Sequence, residues 1–499
     1  MRYVFGKNPL RPDLDEITWD PDGERTINPH MLITGGSGVG KTTLLLDIVL
    51  SLAEANKHIF IFDLKGDMII KNKNGDKIGN YIDFTAWASK YGINPFEFDT
   101  GVTEEELETI IETKQITEEQ DFKLKNSGPK VQVERIIEII KKNYLPNMST
   151  KQKDILMYLF QDTYLSKGFE YNNVYTWLND LPSLQDTLDL INRIKQYTNN
   201  PSALSLDEQS ENFILELRKL ILDIKKINNS QEIIDDEDYQ EEDIKKYFAA
   251  FLPEKEFNSE INAIVKKIIT KVSSYTEEQL QTINDSSIAD NAEWFKKHKI
   301  NVNKYTSKDT IRTLDKISSY INAMVDAEVF HSNKPPVKNG LNVFNISGLD
   351  ISVQRFFADI LIGKVFKSCK IRGTYKDVKN KSRGEKCDTF IIVDESKLIA
   401  GTSRDKNDPF SFLNRIATEA RGFGLGLIVA AQSAEHFPNE FVKNFNAQII
   451  LNTGIADFDA VRKSFGVSKD LLKTTQSGWG NALVKSGNQF IRVKLTDKF

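Results

Sequence analysis

The 499-residue chain is 40% hydrophobic and 27% charged, the balance of a soluble globular protein, and its length predicts two or three domains. No apolar run approaches the roughly 18–20 residues of a membrane span, and the opening Met-Arg-Tyr-Val-Phe-Gly-Lys-Asn-Pro lacks the apolar core of a signal peptide, which predicts a cytoplasmic protein. Two cysteines, Cys369 and Cys387, are too few for a disulfide framework or a zinc site, and the net charge of −5 conceals an asymmetry: residues 101–340 hold 41 acidic against 31 basic side chains, whereas the remainder is mildly basic.

Residues 1–99 read as short strands and turns around one motif. Apolar Met31-Leu32-Ile33 predicts a buried strand, and Thr43-Leu44-Leu45-Leu46-Asp47-Ile48-Val49 predicts a helix. Between them, residues 35–42 run Gly-Gly-Ser-Gly-Val-Gly-Lys-Thr. This fits G-x-x-x-x-G-K-[ST], a loop that cradles phosphate when a strand precedes it and a helix follows. Gly35, Gly38 and Gly40 let the backbone turn its N–H groups toward a phosphate, and the helix N-terminus adds partial positive charge. Gly36, Ser37, Val39 and Thr43 complete the expected ATP-binding segment. Lys41 can reach the β/γ-phosphates, and the Thr42 hydroxyl can bind Mg²⁺. His58-Ile59-Phe60-Ile61-Phe62-Asp63 is a second apolar strand. It leads into Asp63-Leu64-Lys65-Gly66-Asp67, and Ile93-Asn94-Pro95-Phe96 closes the section.

From 101 to 337 apolar residues recur at helical spacing, as in Glu134–Ile140 and Phe213–Leu217. Helix starts are expected at Ser149-Thr150, Pro182-Ser183-Leu184 and Thr276-Glu277. Strand signals are scarce, so the segment reads as a helical domain inserted into the nucleotide-binding fold. Its acidic run, residues 234–243, reads as a solvated face rather than a docking surface. After Pro335-Pro336 the apolar strands Leu341–Ile346, Phe390–Asp394, Leu427–Ala431 and Ile449–Leu451 alternate with helical stretches. That alternation predicts a mostly parallel sheet covered by helices. Asn481–Val484 and Phe490–Lys494 suggest a closing hairpin. The expected division is therefore 1–100 and 338–499 as one α/β core, with 101–337 as an all-α insertion.

Phe390-Ile391-Ile392-Val393 delivers Asp394 and Glu395 at a strand end. Together with the phosphate loop, Asp394 is expected to hold Mg²⁺ and Glu395 to polarise the attacking water. Gln432, after the next strand, can hydrogen-bond the γ-phosphate or its water. Arg421, or less readily Arg415, can supply positive charge to the γ-phosphate, often from a neighbouring subunit. Residues 364–386 hold nine basic against two acidic side chains, which suits either a phosphate-contacting loop or a solvated one.

These segments, in this order, resemble the HerA/FtsK branch of phosphate-loop ATPases. Asn28–Gly35 leads into the loop as in that group. Asp63-Leu64-Lys65-Gly66-Asp67 is similar to its Asp-x-Lys-Gly-Glu element, with Asp67 in place of Glu. Ile93-Asn94-Pro95-Phe96 resembles its Asn-Pro-hydrophobic segment. Ala420-Arg421-Gly422-Phe423-Gly424-Leu425 followed by Ala431-Gln432-Ser433 resembles its Arg-x-x-Gly and Thr-Gln-Arg/Ser block, with Ala431 where Thr is frequent. The resemblance covers about half of the chain. It implies a RecA-like core, a homo-hexameric ring with ATP and Mg²⁺ between subunits, and double-stranded DNA in the pore. The helical insertion resembles, loosely, those of conjugation and type IV secretion ATPases and of HerA-like defence proteins. Two other readings stand beside the DNA motor: a secretion-type ATPase acting on protein, and an ATP-dependent switch that recruits a nuclease or other effector.

Overall fold

A computed structural model describes residues 1–11, 16–23, 26, 28–85, 89–98, 100–125, 127–198, 286–374, 387–394, 412–432 and 439–495. Glu395, Ser433, the acidic run 234–243, the expected helix start at Thr276, the stretch Phe213–Leu217 and residues 375–386 of the basic segment lie outside them. Among the described residues no helix is long and apolar enough to cross a membrane.

The framework is an eleven-stranded sheet in the order β2-β1-β11-β10-β9-β3-β8-β7-β4-β6-β5. Its strands are β1 Tyr3–Lys7, β2 Ile17–Trp19, β3 Met31–Thr34, β4 His58–Asp63, β5 Asn80–Asp83, β6 Leu341–Asn345, β7 Thr389–Val393, β8 Leu425–Ala431, β9 Ala447–Ile450, β10 Asn481–Ser486 and β11 Gln489–Leu495. The seven strands from β9 to β5 run parallel. The other four extend the sheet by antiparallel pairing, including the expected β10–β11 hairpin. Every residue of β3, β7, β8 and β9 is buried. Such strands must be covered on both faces, which is why they read as unbroken apolar runs rather than alternating ones.

Helix α1, Lys41–Glu54, follows β3 and buries Leu44, Leu45, Ile48, Val49 and Leu52. Those side chains join one core with Ile33, Ile61, Ile392, Ile428 and Ile449 from the central strands. The chain then continues from α1 into β4, which lies beyond β8 and β7 from β3. The strand order therefore reverses beside β3, the position where parallel sheets open a crevice at their carboxyl ends.

The chain divides into two compact units. One comprises Met1–Gln161, Phe169–Gln185 and Ser319–Phe499; the other comprises Asp162–Gly168 and Asp186–Ser318. The composition shifts at 100/101 and 337/338 thus fall inside the first unit. Its helices include Glu104–Thr113, which opens with a capping box from Thr103 and Glu106, and Gly128–Asn143, which packs on Ile351–Arg372. In the second unit, Asp162 is fully buried and accepts hydrogen bonds from Lys304 at 2.9 Å and Tyr305 at 2.7 Å. The expected helix starts at Thr150 and Leu184 are those of helices Thr150–Ser166 and Leu184–Thr198.

Candidate phosphate-loop active site

The parallel register brings the predicted site residues to one edge of the sheet. Thr34, at the end of β3, lies beside Ala431 at the end of β8 and Ile450 at the end of β9. Val393 ends β7 two strands from β3, so Asp394 emerges at the same edge. Gln432 follows Ala431 directly, between the phosphate-loop strand and the Asp394 strand, and is exposed. Four predicted residues, Lys41, Thr42, Asp394 and Gln432, therefore converge. Glu395 follows Asp394 in sequence and lies outside the described residues.

The loop is held from both sides. The Gly35 N–H donates to the Ala431 carbonyl at 3.3 Å, and the Gly36 N–H donates to the Asn452 carbonyl at 2.8 Å. A Cβ on Gly35 would stand 2.8 Å from the Leu451 Cβ and 2.9 Å from the Val39 side chain. Glycine at 35 is thus required by close approach. Gly38 and Gly40 instead have φ of +73° and +93°, the left-handed region that other residues enter only with strain.

Lys41 is 8% exposed. Its ammonium donates to the Gly35 carbonyl at 2.9 Å and the Gly36 carbonyl at 2.5 Å, which anchors a positive charge inside the loop. The Thr42 hydroxyl donates to Asp394 Oδ2 at 2.9 Å, and Asp394 is 3% exposed. A hydroxyl and a carboxylate at hydrogen-bond distance form a hard-oxygen pair suited to Mg²⁺, which commonly takes one or two carboxylates and completes its shell with substrate phosphates and water. Among the described residues no group of three or more His, Cys, Asp or Glu forms a self-sufficient metal site. The pair thus fits a cation that arrives with a nucleotide.

Asp63 ends β4 next to β7. One carboxylate oxygen accepts from the Lys65 and Gly66 N–H groups at 3.2 and 2.7 Å, and the other accepts from the Met68 N–H at 3.1 Å. Asp63 therefore builds the Asp-Leu-Lys-Gly-Asp turn. Burial raises the Asp67 carboxyl above the usual range, and Asp63 and Asp394 add to that rise. This places Asp67 within the electrostatic reach of the site. Asn94 is structural: it is buried, donates to the Pro182 carbonyl at 2.9 Å and accepts from the Phe96 N–H at 2.9 Å. Of the basic segment, Lys364 pairs with Glu97, Lys370 with Glu419 at 2.7 Å, and Arg372 with Asp388 at 2.7 Å. These three bases tie elements of the fold together.

Arg421 lies elsewhere. It sits in the 3₁₀ turn Ala420–Phe423 before β8 begins, whereas the phosphate loop meets the end of β8. Seven residues of strand separate the two by about 20 Å. Arg421 instead faces His30, which precedes β3. The His30 imidazole is completely buried, and its Nδ1 accepts from the Leu427 N–H at 3.0 Å. Nε2 therefore carries the proton of the neutral ring, without a partner among the described residues. Burial, and secondarily Arg421, pushes the His30 pKa down to about 3.

The unfolded histidine binds its proton near pH 6.5. Folding stability from this site is therefore complete above pH 6.5 and declines as pH falls toward 3, by up to about 1.4 kcal/mol per pH unit. His30→Asn keeps an acceptor for Leu427 but cannot titrate. Urea unfolding between pH 7 and 5 is expected to show a shallower pH slope for His30→Asn than for the wild type; equal slopes would refute this role.

Sequence reading missed the Asn452 carbonyl and the segment before β10. The first is a backbone contact without a side-chain signature. The second carries a visible one, an aromatic between two glycines in Gly478-Trp479-Gly480.

Residues 15–255 match the family model described as Helicase HerA, central domain. No curated protein matches the chain. Among solved structures, VirB4 of Thermoanaerobacter pseudethanolicus is similar at 12% identity over 99% of this chain and 96% of that one, with a TM-score of 0.55. The bacterial conjugative coupling protein TrwBdeltaN70 aligns at 11% identity over 94% of this chain and 84% of that one, with a TM-score of 0.46. The genome packaging NTPase B204 of Sulfolobus turreted icosahedral virus 2 aligns at 17% identity over 32% of this chain and 68% of that one, with a TM-score of 0.24. The α/β core around the loop is the one the sequence predicts: residues 15–255 match the HerA central-domain model, and the fold is like that of VirB4.

Proposed function

We propose that the chain is an ATP-driven motor on double-stranded DNA that works as a homo-hexameric ring. The observation that carries its hydrolytic part is the 2.9 Å contact between Thr42 and Asp394, which joins residues 352 positions apart at the mouth of the phosphate loop. The loop N–H groups and Lys41 bind and orient the phosphates. Thr42 and Asp394 would hold Mg²⁺, which when bound neutralises phosphate charge. Glu395 orients the attacking water and accepts its proton. Gln432 touches the γ-phosphate or that water and relays its presence into the segment that follows.

Arg421 cannot reach its own phosphate loop across the length of β8. Its role in hydrolysis is therefore to reach the loop of the next subunit, which makes turnover depend on assembly. The DNA substrate is supported by the HerA-family match of residues 15–255 and by the motif order.

Steady-state ATP hydrolysis with and without linear double-stranded DNA, with Glu395→Gln as the blank, tests the motor. Strong stimulation by DNA that the variant loses is the expected result. Turnover indifferent to DNA would overturn it in favour of a protein-directed ATPase. Arg421→Ala mixed with an excess of Glu395→Gln is expected to regain activity, because each Arg421→Ala subunit keeps Glu395 and a Glu395→Gln neighbour supplies Arg421; no recovery would overturn the action across subunits.

A further inference from the structure

The sequence contains two Lys-Asn-Gly triplets, Lys73-Asn74-Gly75 and Lys338-Asn339-Gly340. Asparagine before glycine is chemically labile, because no Cβ shields the glycine nitrogen from the asparagine side-chain carbon. Both asparagines are exposed, and both glycines are left-handed, with φ of +86° and +93°. Their surroundings differ in one respect that matters to this chemistry.

In the first triplet a turn occupies the nitrogen. The Gly75 N–H donates to the Asn72 carbonyl at 2.9 Å, and Asn72 Oδ1 accepts from the Asn74 and Asp76 N–H groups, each at 2.9 Å. A peptide carbonyl is too weak a base to take the proton. In the second triplet the Gly340 N–H donates to His58 Nδ1 at 3.3 Å. That ring nitrogen therefore presents a lone pair to the amide. His58 opens β4, and Gly340 stands directly before β6, the neighbouring parallel strand. The Gly340 carbonyl accepts from the Ile59 N–H at 2.8 Å. Fully buried Asn342 grips Lys338 twice, accepting from its N–H at 2.9 Å and donating to its carbonyl at 2.7 Å. The sheet thus fixes both the glycine nitrogen and the imidazole. The Asn339 side chain makes no hydrogen bond to another described residue, so it alone has to move for the two to meet.

We propose that Asn339-Gly340 is a self-modification site at which the chain deamidates, with His58 as the base. The Gly340 nitrogen attacks Asn339 Cγ and its proton passes to His58 Nδ1. The bond from Cγ to Nδ2 then breaks, and the nitrogen leaves as ammonia with the proton returned by the imidazolium. The resulting succinimide takes up one water and opens at either carbonyl, to aspartate or isoaspartate. Both products place a negative charge beside Lys338. Isoaspartate also lengthens the main chain by one carbon immediately before β6, where Gly340 is tied to Ile59.

The intact protein is incubated at neutral pH in water labelled with heavy oxygen, then digested and read by peptide mass spectrometry, which follows each asparagine separately. In urea the two triplets are expected to convert at similar rates, since they share their local sequence. In the folded protein Asn339 is expected to convert about ten-fold faster than Asn74, a modest part of the roughly 10²–10⁴-fold that a positioned base can supply. This comparison needs no variant. His58→Gln keeps an acceptor for the Gly340 N–H without the basicity, and is expected to bring Asn339 down to the rate of Asn74. Its urea midpoint, measured alongside, shows that the folded state is the one assayed. Asn339 converting no faster than Asn74 in the folded protein, or at an unchanged rate in folded His58→Gln, would overturn the proposal.

Discussion

Lys41→Ala should lower ATP turnover by about 10²–10³-fold, the usual consequence of removing one preorganised charge from a reacting phosphate or oxyanion. In the structure the ammonium is nine-tenths buried and fixed by two loop carbonyls. Its direction is therefore set before the nucleotide arrives, and little reorganisation is needed when charge develops on the γ-phosphate. The same substitution removes ground-state contacts to the phosphates, so nucleotide affinity is expected to fall together with turnover. Glu395→Gln should behave differently. A lost general base costs about 10²–10⁴-fold in turnover, but glutamine keeps the size and removes only the negative charge, so binding is expected to be preserved. Equilibrium binding of ATP alongside single-turnover hydrolysis distinguishes the two. If Lys41→Ala retained wild-type turnover, Lys41 would have no part in the reaction. If Glu395→Gln lost binding and turnover in equal measure, the residue would act through the site's shape rather than on water.

The site was legible in sequence where its constraints are local. The phosphate loop is eight consecutive residues between a strand and a helix, and its backbone demands leave few other sequences. Asp394 was legible because a buried parallel strand must end somewhere, and a carboxylate at that end has few uses. What the sequence could not display is pairing at long range. Helical periodicity in Glu134–Ile140 shows that one face of the helix is buried, but not that its partner is Ile351–Arg372, more than two hundred residues on. The segments Glu104–Asn143 therefore read as part of an insertion, although by contacts they belong with the sheet. Strand β1 carries few local clues for the same reason, since its partner β11 lies at the other end of the chain. Arg421 could have been placed better. It stands before the start of β8, and Gln432 stands after its end, so a parallel strand puts them on opposite edges whatever the rest of the fold does.

The largest stability effect expected from a single side chain lies away from the site, at Lys142. Its ammonium donates to both carboxylate oxygens of Asp359 at 2.8 and 2.9 Å, and Asn143 donates to the same carboxylate at 3.0 Å. Lys142 and Asp359 are 4% and 0% exposed at their side chains. Helices Gly128–Asn143 and Ile351–Arg372 are joined there by a salt bridge that water cannot screen. Two such charges gain little over a well-packed apolar pair, because both were removed from water, but breaking the pair leaves one of them uncompensated. Lys142→Met, which keeps the length and removes the charge, should therefore destabilise the first unit by about 3–5 kcal/mol. Adding Asp359→Asn removes the stranded carboxylate while leaving an oxygen for Asn143 to donate to, and should recover most of the loss. Urea unfolding of the two variants, read as a shift in midpoint at constant slope, decides the matter. A single variant as stable as the wild type would mean that water reaches Asp359. A double variant no better than the single would mean that Lys142 acts through packing of its aliphatic stem, since only the charge differs between a stranded carboxylate and its amide.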